Sequence, residues 1–311
     1  MTEAPATLNP QAPHVGPLRR ILGPLHYSSA FWSRCTFWLA TRLPGWTYAA
    51  IAWLGVRVAY VSVPRVRAVL ARNCERVHGT TTRGQRRRYV LATLTAFAWC
   101  LAERWQRLSG DAPFEVRFEG LEHWHSATEG DAGVLLVTAH VGMWEAASRL
   151  PSDTFDRHVH LVRERELDAG SQLFLEELLA RDAATTYVTH FADEPTLGID
   201  LMNAVRDGHL VALQGDRPRT GGRTLQSELF GAPFALPDGP AVLARVTGRP
   251  LLPVFALRTG RRSYRVVFGE PIQSPRTPDR AADNQVVADR FGAVLEEAIR
   301  MAPEQWFKFG G

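Results

Sequence analysis

After residue 111 the hydrophobic and polar positions fall into two alternating kinds of segment. Short runs such as residues 133–138 are continuously apolar, which is typical of strands buried on both faces. Longer segments such as residues 283–300 have an apolar stripe along one side, which is typical of amphipathic helices. This alternation predicts an α/β domain with a largely parallel central sheet flanked by helices.

The pattern also gives approximate bounds for each element. The predicted strands cover residues 114–118, 133–138, 158–162, 185–188, 210–213, 251–257 and 264–268. The predicted helices cover residues 121–128, 171–180, 195–206, 239–248 and 283–300, and a further helix is expected to begin near Gly142. The strand at residues 264–268 is expected to pair beside the strand at residues 251–257.

The first third of the chain has a different pattern. Residues 1–17 are rich in proline and alanine and predict a disordered tail. Residues 18–110 predict a helical, membrane-associated region, with residues 111–311 forming the α/β domain. Within residues 18–110, the segment 46–63 is mostly apolar but is interrupted by Arg57. A spanning helix needs about 20 apolar residues. This segment is therefore either a buried core helix or an interfacial segment, and its Trp and Tyr content favours the interface.

Charge is distributed unevenly along the chain. Residues 1–110 contain fifteen arginines and three acidic residues, although the net charge of the whole chain is only +4. Such a region is expected to face something anionic. Zinc-finger spacing and an RNP-type aromatic motif are both missing from the sequence, which disfavours nucleic acid. We therefore expect attachment to the cytoplasmic face of the inner membrane, either peripherally or through one amino-terminal segment.

The segment from Thr138 to Glu145 carries the candidate chemistry. A buried strand ends at Thr138 and His140 follows two residues later. In open α/β sheets, sites lie at the carboxyl ends of the strands. Glu145 is close enough along the chain to accept a hydrogen bond from one imidazole nitrogen, which leaves the other free to take a proton from a hydroxyl. His140 and Glu145 are accordingly the predicted catalytic pair.

Six segments in order resemble a known family. They are Arg42-Leu-Pro44 with Ala71-Arg-Asn73, Thr138-Ala-His-Val-Gly-Met-Trp-Glu145, Gln214-Gly-Asp216-Arg217, Leu229-Phe-Gly231, Leu236-Pro-Asp-Gly239 and Pro303-Glu-Gln-Trp306. Together they resemble the lysophospholipid acyltransferase superfamily, and more narrowly the bacterial lipid A biosynthesis (lauroyl/myristoyl) acyltransferases. The resemblance covers nearly the whole chain from Arg42 to Phe307.

The resemblance implies a reaction and its participants. It implies transfer of a fatty acyl chain from acyl carrier protein or coenzyme A to a hydroxyl of a lipid or glycolipid, with no metal and no further cofactor. It makes His140 the general base and Glu145 its partner. The predicted substrate-binding residues are Gly142, Trp144, Arg163, Asp216 and Arg217. Of these, the two arginines are candidates for stabilising the oxyanion or for binding a carrier phosphate.

Two other functions stay open from the residues alone. A metal-dependent hydrolase could draw its ligands from His123, His125, His140, His158, His160 and Asp216. A membrane-surface binding module could keep the fold without activity. The sequence lacks the nucleophile elbow of serine hydrolases, a P-loop and a Rossmann fingerprint after the first strand.

Overall fold

A computed structural model describes residues 30–109, 114–143, 157–166, 168–181, 187–219 and 221–310 of the 311-residue chain. The predicted tail at residues 1–17 lies outside these ranges. The described helices are Ala30–Arg42 (α1), Gly45–Ser62 (α2), Pro64–His78 (α3), Arg83–Leu108 (α4), Leu121–Thr128 (α5), Ala169–Arg181 (α6), Leu197–Arg206 (α7), Gly239–Thr247 (α8) and Arg280–Met301 (α9). The described strands are Glu115–Glu119 (β1), Val134–Thr138 (β2), Val159–Arg163 (β3), Tyr187–Phe191 (β4), Leu210–Gln214 (β5), Thr224–Leu229 (β6), Ala232–Pro237 (β7), Leu251–Gly260 (β8) and Ser263–Phe268 (β9).

Seven of these strands form one sheet, in the order β1-β9-β8-β2-β5-β3-β4. The five strands from β8 to β4 are parallel, whereas β9 pairs antiparallel with β8 and β1 is parallel to β9. The predicted α/β class with a largely parallel, helix-flanked sheet is therefore confirmed. The predicted pairing of the strand at residues 264–268 is confirmed as well.

The strands at the centre of the sheet are buried on both faces. Every residue of β2 is buried, which explains its unbroken apolar sequence. One face packs on α7, α8 and α9 through residues such as Val137, Leu213 and Phe291, and the other packs on α5 through Trp124. This central position brings the carboxyl ends of β2 and β5 to the middle of one edge of the sheet.

The longest described helix, α4, joins the amino-terminal helices to the sheet. It begins with a capping box, in which Thr82 accepts a hydrogen bond from the Gln85 backbone N–H and the Gln85 side chain accepts one from Thr82. Helices α1, α2 and α3 all pack against it. The described part of the region at residues 18–110 is thus helical, with a break between α3 and α4.

No single helix within the described ranges is long and apolar enough to cross a bilayer. The helices Thr47–Ser62 and Pro64–His78 together have the length and apolar composition of a span, but they are bent by 96° at the break between them.

The helix expected to begin near Gly142 falls mainly on residues 144–156, which lie outside the described residues. Val141 and Gly142 themselves form isolated β-bridges to Trp306 and Ala256. Gly142 has a φ of 66°, which is outside the right-handed helical region. Pairing on both sides holds the backbone of these two residues outside the right-handed helical conformation.

Candidate active site

The site forms where two neighbouring parallel strands end at the same level. Thr138, the last residue of β2, is the register partner of Gln214, the last residue of β5. His140 and Asp216 each follow two residues after these positions. Equal offsets on adjacent parallel strands bring the two side chains together.

His140 and Asp216 form a hydrogen-bonded pair. Nδ1 of His140 lies 2.8 Å from Oδ1 of Asp216. The Asp216 side chain is 1% exposed, whereas that of His140 is 23% exposed. A carboxylate accepts only, so the pair assigns the ring proton to Nδ1 and leaves Nε2 as the basic nitrogen of the neutral imidazole.

Asp216 stays ionised although it is buried. Burial by itself raises the pKa of this carboxyl, but the hydrogen bond and charge of His140 and the charge of Arg217 more than offset that effect. The pKa of Asp216 is therefore held below its ordinary value. Its second oxygen, Oδ2, is buried and has no hydrogen-bond partner among the described residues.

The loop carrying His140 is fixed by backbone pairing on both sides. The N–H of Met143 donates to the carbonyl of Ala256 at 2.9 Å, and the N–H of Phe307 donates to the carbonyl of His140 at 2.7 Å. A Cβ on Gly142 would lie 2.0 Å from the Ala256 carbonyl oxygen. Gly142 therefore has a structural reason to be glycine, in addition to its predicted place beside substrate.

A cavity of about 930 Å³ opens in front of His140. This volume is in the range of sites for small molecules and cofactors, about 300–1,000 Å³. Predicted site residues His140, Gly142, Arg163 and Arg217 all line it. Asp216 lies behind His140 and is fully buried.

The cavity walls combine apolar and cationic side chains. Helix α4 supplies Phe97, Cys100 and Leu101, and the segment after α9 supplies Phe307 and Phe309. The lining also contains a set of charged residues, which are Arg104, Arg163, Arg217, Arg219, Arg223, Glu164, Glu166 and Asp238. The cavity can therefore accommodate a ligand that is partly apolar and partly anionic.

These arginines are already engaged with the protein, and Arg219 for example donates to the carbonyl of Ala192. Arg217 donates from Nη2 to the carbonyl of Phe307 at 3.0 Å, and Arg223 pairs with Asp238 at 2.9 Å. Arg217 thus ties the end of β5 to the carboxyl-terminal segment beside the cavity. Its predicted role toward substrate stays a prediction.

One partner of His140 was not predicted as such. Asp216 accepts the hydrogen bond of Nδ1, whereas Glu145 was the predicted partner of one imidazole nitrogen. Glu145 and Trp144 lie outside the described residues, so their predicted roles stay predictions. Sequence reasoning placed Asp216 in the site without recognising it as the partner of His140, although the equal offset from two buried runs was available as a signal.

The contributions of α4 and the carboxyl-terminal segment were missed. Phe97, Cys100 and Phe309 were not among the predicted site residues, yet they line the cavity. These residues reach the cavity through long-range packing of α4 and the carboxyl-terminal segment, which no local sequence motif predicts. The apolar character of α4 was the one available signal.

The histidines considered as metal ligands are arranged differently. His123 and His125 lie on α5, away from the sheet edge that carries His140. His160 Nδ1 is 2.8 Å from His190 Nε2, and the rings of His158 and His209 stack at 4.9 Å between centroids. Within the described ranges, no three His, Cys, Asp or Glu side chains are arranged to hold a metal ion.

The fold and site define a class of protein: an α/β protein with a His–Asp pair at the carboxyl edge of its sheet, opening into a mixed apolar and cationic cavity. Residues 190–310 match the family model of the bacterial lipid A biosynthesis acyltransferases. This confirms the predicted resemblance to the lipid A-type acyltransferase family. The matched part includes Asp216, both strands of the β6–β7 hairpin and the segment after α9.

Relatives of known name agree with the family match. The chain is 28% identical over 191 residues to phosphatidylinositol mannoside acyltransferases from two strains of Mycobacterium tuberculosis. The aligned part covers 60% of this chain and 56% of each relative. The chain therefore spans little more than half the length of these relatives. Both comparisons are with acyltransferases, which supports the prediction of an enzyme of that class.

Proposed function

We propose that the protein is an O-acyltransferase that moves a fatty acyl chain from a thioester of acyl carrier protein or coenzyme A to a hydroxyl of a membrane lipid or glycolipid. The observation that carries this proposal is the His140–Asp216 pair, 2.8 Å apart, with His140 lining the cavity. The family match and the acyltransferase names of the relatives support the same reaction type.

His140 acts as the general base. With its proton on Nδ1 donated to Asp216, its Nε2 accepts the proton of the acceptor hydroxyl as that oxygen attacks the thioester carbonyl carbon. The new C–O bond gives a tetrahedral oxyanion. When the carbonyl re-forms, the C–S bond breaks and the imidazolium returns the proton to the leaving sulfur. The products are an ester and a free thiol.

Arg163 and Arg217 are proposed to stabilise the oxyanion or to bind a phosphate of the donor. Both line the cavity that contains His140. One well-placed donor to an oxyanion is worth about 3–4 kcal/mol. The apolar wall formed by Phe97, Leu101 and Phe309 is proposed to hold the acyl chain, since each buried methylene contributes about 0.8 kcal/mol.

Phosphatidylinositol mannosides are the first acceptors to test, because the relatives are named for acting on them. Such an acceptor carries both acyl chains and an anionic phosphate. That combination suits a cavity whose lining combines apolar side chains with several arginines.

The decisive experiment compares wild type with His140→Ala. The assay follows release of thiol from palmitoyl-coenzyme A, or from palmitoyl-acyl carrier protein, in the presence of vesicles containing phosphatidylinositol mannosides. We expect the variant to lose about 100- to 10,000-fold in kcat, the usual contribution of a general base. His125→Ala on α5 is the matched control and is expected to retain full activity, because His125 is exposed and does not line the cavity. Equal turnover in His140→Ala and wild type would refute the assignment.

The site is proposed to work at a membrane surface. The exposed aromatic surface of α1 and α2 consists of Phe31, Trp32, Trp38, Ile51, Trp53, Leu54, Val58 and Val61, each 40% or more exposed. Arg57 lies over the Trp53 ring at 3.5 Å. An exposed patch of this kind next to many arginines suits the headgroup layer of an anionic bilayer.

Vesicle sedimentation tests this membrane role. We expect binding to vesicles containing anionic lipid, weaker binding at high salt, and further loss in Trp38→Glu or Trp53→Glu because burying a carboxylate in the bilayer is costly. Salt-independent binding would instead favour insertion through α2 and α3. The substitution Leu173→Glu, at an exposed apolar position on α6, is the control for adding a charge elsewhere.

A further inference from the structure

The loop carrying His140 depends on a segment distant in sequence, residues 305–307. Val141 and Trp306 form an antiparallel bridge. The N–H of Gly142 donates to the carbonyl of Gln305 at 2.9 Å, and the N–H of Phe307 donates to the carbonyl of His140 at 2.7 Å. The main chain of the proposed base is therefore positioned by these three residues on one side and by Ala256 on the other.

The position of residues 305–307 depends in turn on the Gln305 side chain. Its Oε1 accepts a hydrogen bond from the Arg258 backbone N–H at 2.8 Å, and its Nε2 donates to the Arg258 carbonyl at 2.8 Å. Gln305 is 6% exposed. A side-chain amide used as both donor and acceptor toward one residue fixes the register of two segments in the way a strand pair does.

Arg258 is itself anchored from helix α4. Its guanidinium forms two hydrogen bonds to Glu103, both 2.9 Å, and Glu103 is 1% exposed. The Tyr264 hydroxyl also donates to Glu103 and lies 3.6 Å from Sδ of Met143. Bidentate pairing of a buried carboxylate gives a rigid support, so Gln305 is attached to a fixed point.

From this chain of contacts we infer that Gln305 is a positioning residue for the acyl transfer. The inference rests on the proposed function, because Gln305 is inferred to position His140, the proposed general base. Gln305 does not touch the cavity; it acts through the backbone of Gly142 and its neighbours. A displacement of the catalytic base by about 1 Å costs up to 100-fold in rate.

The test compares Gln305→Leu, which removes both side-chain hydrogen bonds at similar volume, with Gln305→Glu, which keeps the acceptor and loses the donor. Tyr89→Phe is the matched control. The Tyr89 hydroxyl donates to the Pro303 carbonyl at 2.7 Å, so this variant loosens the same segment at a point that makes no bond to the His140 loop. All are assayed with palmitoyl-coenzyme A and vesicles containing phosphatidylinositol mannosides.

We expect kcat to fall about 10- to 100-fold in Gln305→Leu and less in Gln305→Glu, with KM for the thioester nearly unchanged. Tyr89→Phe is expected to keep the wild-type kcat. A parallel measurement follows modification of His140 by diethyl pyrocarbonate, resolved by peptide mass spectrometry, with His123 and His125 as internal references. The His140 rate should change in both Gln305 variants and not in Tyr89→Phe.

The outcomes separate the inference from the function on which it rests. If His140→Ala abolishes transfer while kcat of Gln305→Leu stays within about twofold of wild type, the inference is overturned and the proposed function stands. If Gln305→Leu does not fold, Gln305→Glu and its His140 modification rate decide, and an unchanged rate overturns the inference. If wild type transfers no acyl group, the proposed function fails, and the modification rates still report whether Gln305 positions His140.

Discussion

Histidines occupy two contrasting settings in this sheet. At the carboxyl edge, His140 is hydrogen-bonded to an ionised, buried Asp216 and faces a cavity. Across β3 and β4, His160 and His190 are hydrogen-bonded to each other, with two further rings stacked beside them. The first setting stabilises a charge that develops on the imidazole, whereas the second opposes it. Under the proposed function, the partner of a histidine, rather than its presence at a strand, distinguishes the general base from a structural histidine.

The same substitution at His140 and at His160 is expected to have very different effects on activity. His140→Phe should reduce transfer about 100- to 10,000-fold, because the base is removed. His160→Phe should leave kcat near wild type, because His160 does not line the cavity. Steady-state kinetics on both variants decides, and comparable losses would mean that the two settings do not differ in function.

The next largest effect is expected for Asp216→Asn. An amide keeps the shape of the carboxylate but removes the charge that orients and stabilises the imidazolium. We expect kcat to fall on the order of 100-fold or more, with thioester binding retained. The measurement is single-turnover transfer from palmitoyl-coenzyme A. Wild-type kcat in Asp216→Asn would show that the carboxylate has only a structural role.

Glu145→Gln tests the predicted partner of His140. If Glu145 assists catalysis without orienting Nδ1, its loss should cost about tenfold or more, the lower range for a supporting group, and less than Asp216→Asn. Rates of the two single variants and of the double variant give the coupling between them. A larger loss in Glu145→Gln than in Asp216→Asn would restore Glu145 as the principal partner.

A smaller effect is expected on the pH dependence of stability, through His160 in the histidine cluster of β3 and β4. Burial, followed by the charges of His190, His209 and His158, lowers the pKa of His160 from 6.5 to about 4, and Asp207 acts in the opposite sense. Between these values the unfolded chain binds a proton that the folded chain does not. His160 therefore contributes stability that is fully present above pH 6.5 and is lost as pH falls toward about 4.

Urea unfolding of wild type and His160→Phe at pH 7 and pH 5 measures this contribution. The unfolding free energy of wild type should fall more than that of the variant on acidification, so the difference between them should shift in favour of the variant. Parallel pH dependence in the two proteins would contradict the depressed pKa of His160.

Local patterns predicted most of the fold. The helix at residues 121–128 has the predicted bounds, and each predicted strand of the main sheet exists within a few residues of its expected place. These elements have strong periodicity or continuous burial. The β6–β7 hairpin was missed because Thr224–Leu229 contains only two apolar residues, Leu225 and Leu229, and only Leu229 is buried. Its turn was noticed only as the Leu229-Phe-Gly231 motif.

The site was predictable where it follows from strand ends and unpredictable where it depends on long-range pairing. His140 and Asp216 both follow continuous apolar runs, and their meeting follows from the register of β2 with β5. The bridge between Val141 and Trp306 is made by the main chain, so no side-chain pattern encodes it.

The pairing of the His140 loop with residues 305–307 has a consequence for biosynthesis. During translation β2 emerges long before its backbone partners do, so the loop leaves the ribosome with open N–H and C=O groups. Under the proposed function, the chain can catalyse acyl transfer only after Phe307 has been synthesised and has paired with the His140 loop. A nascent chain already in contact with lipid would stay inert until that moment.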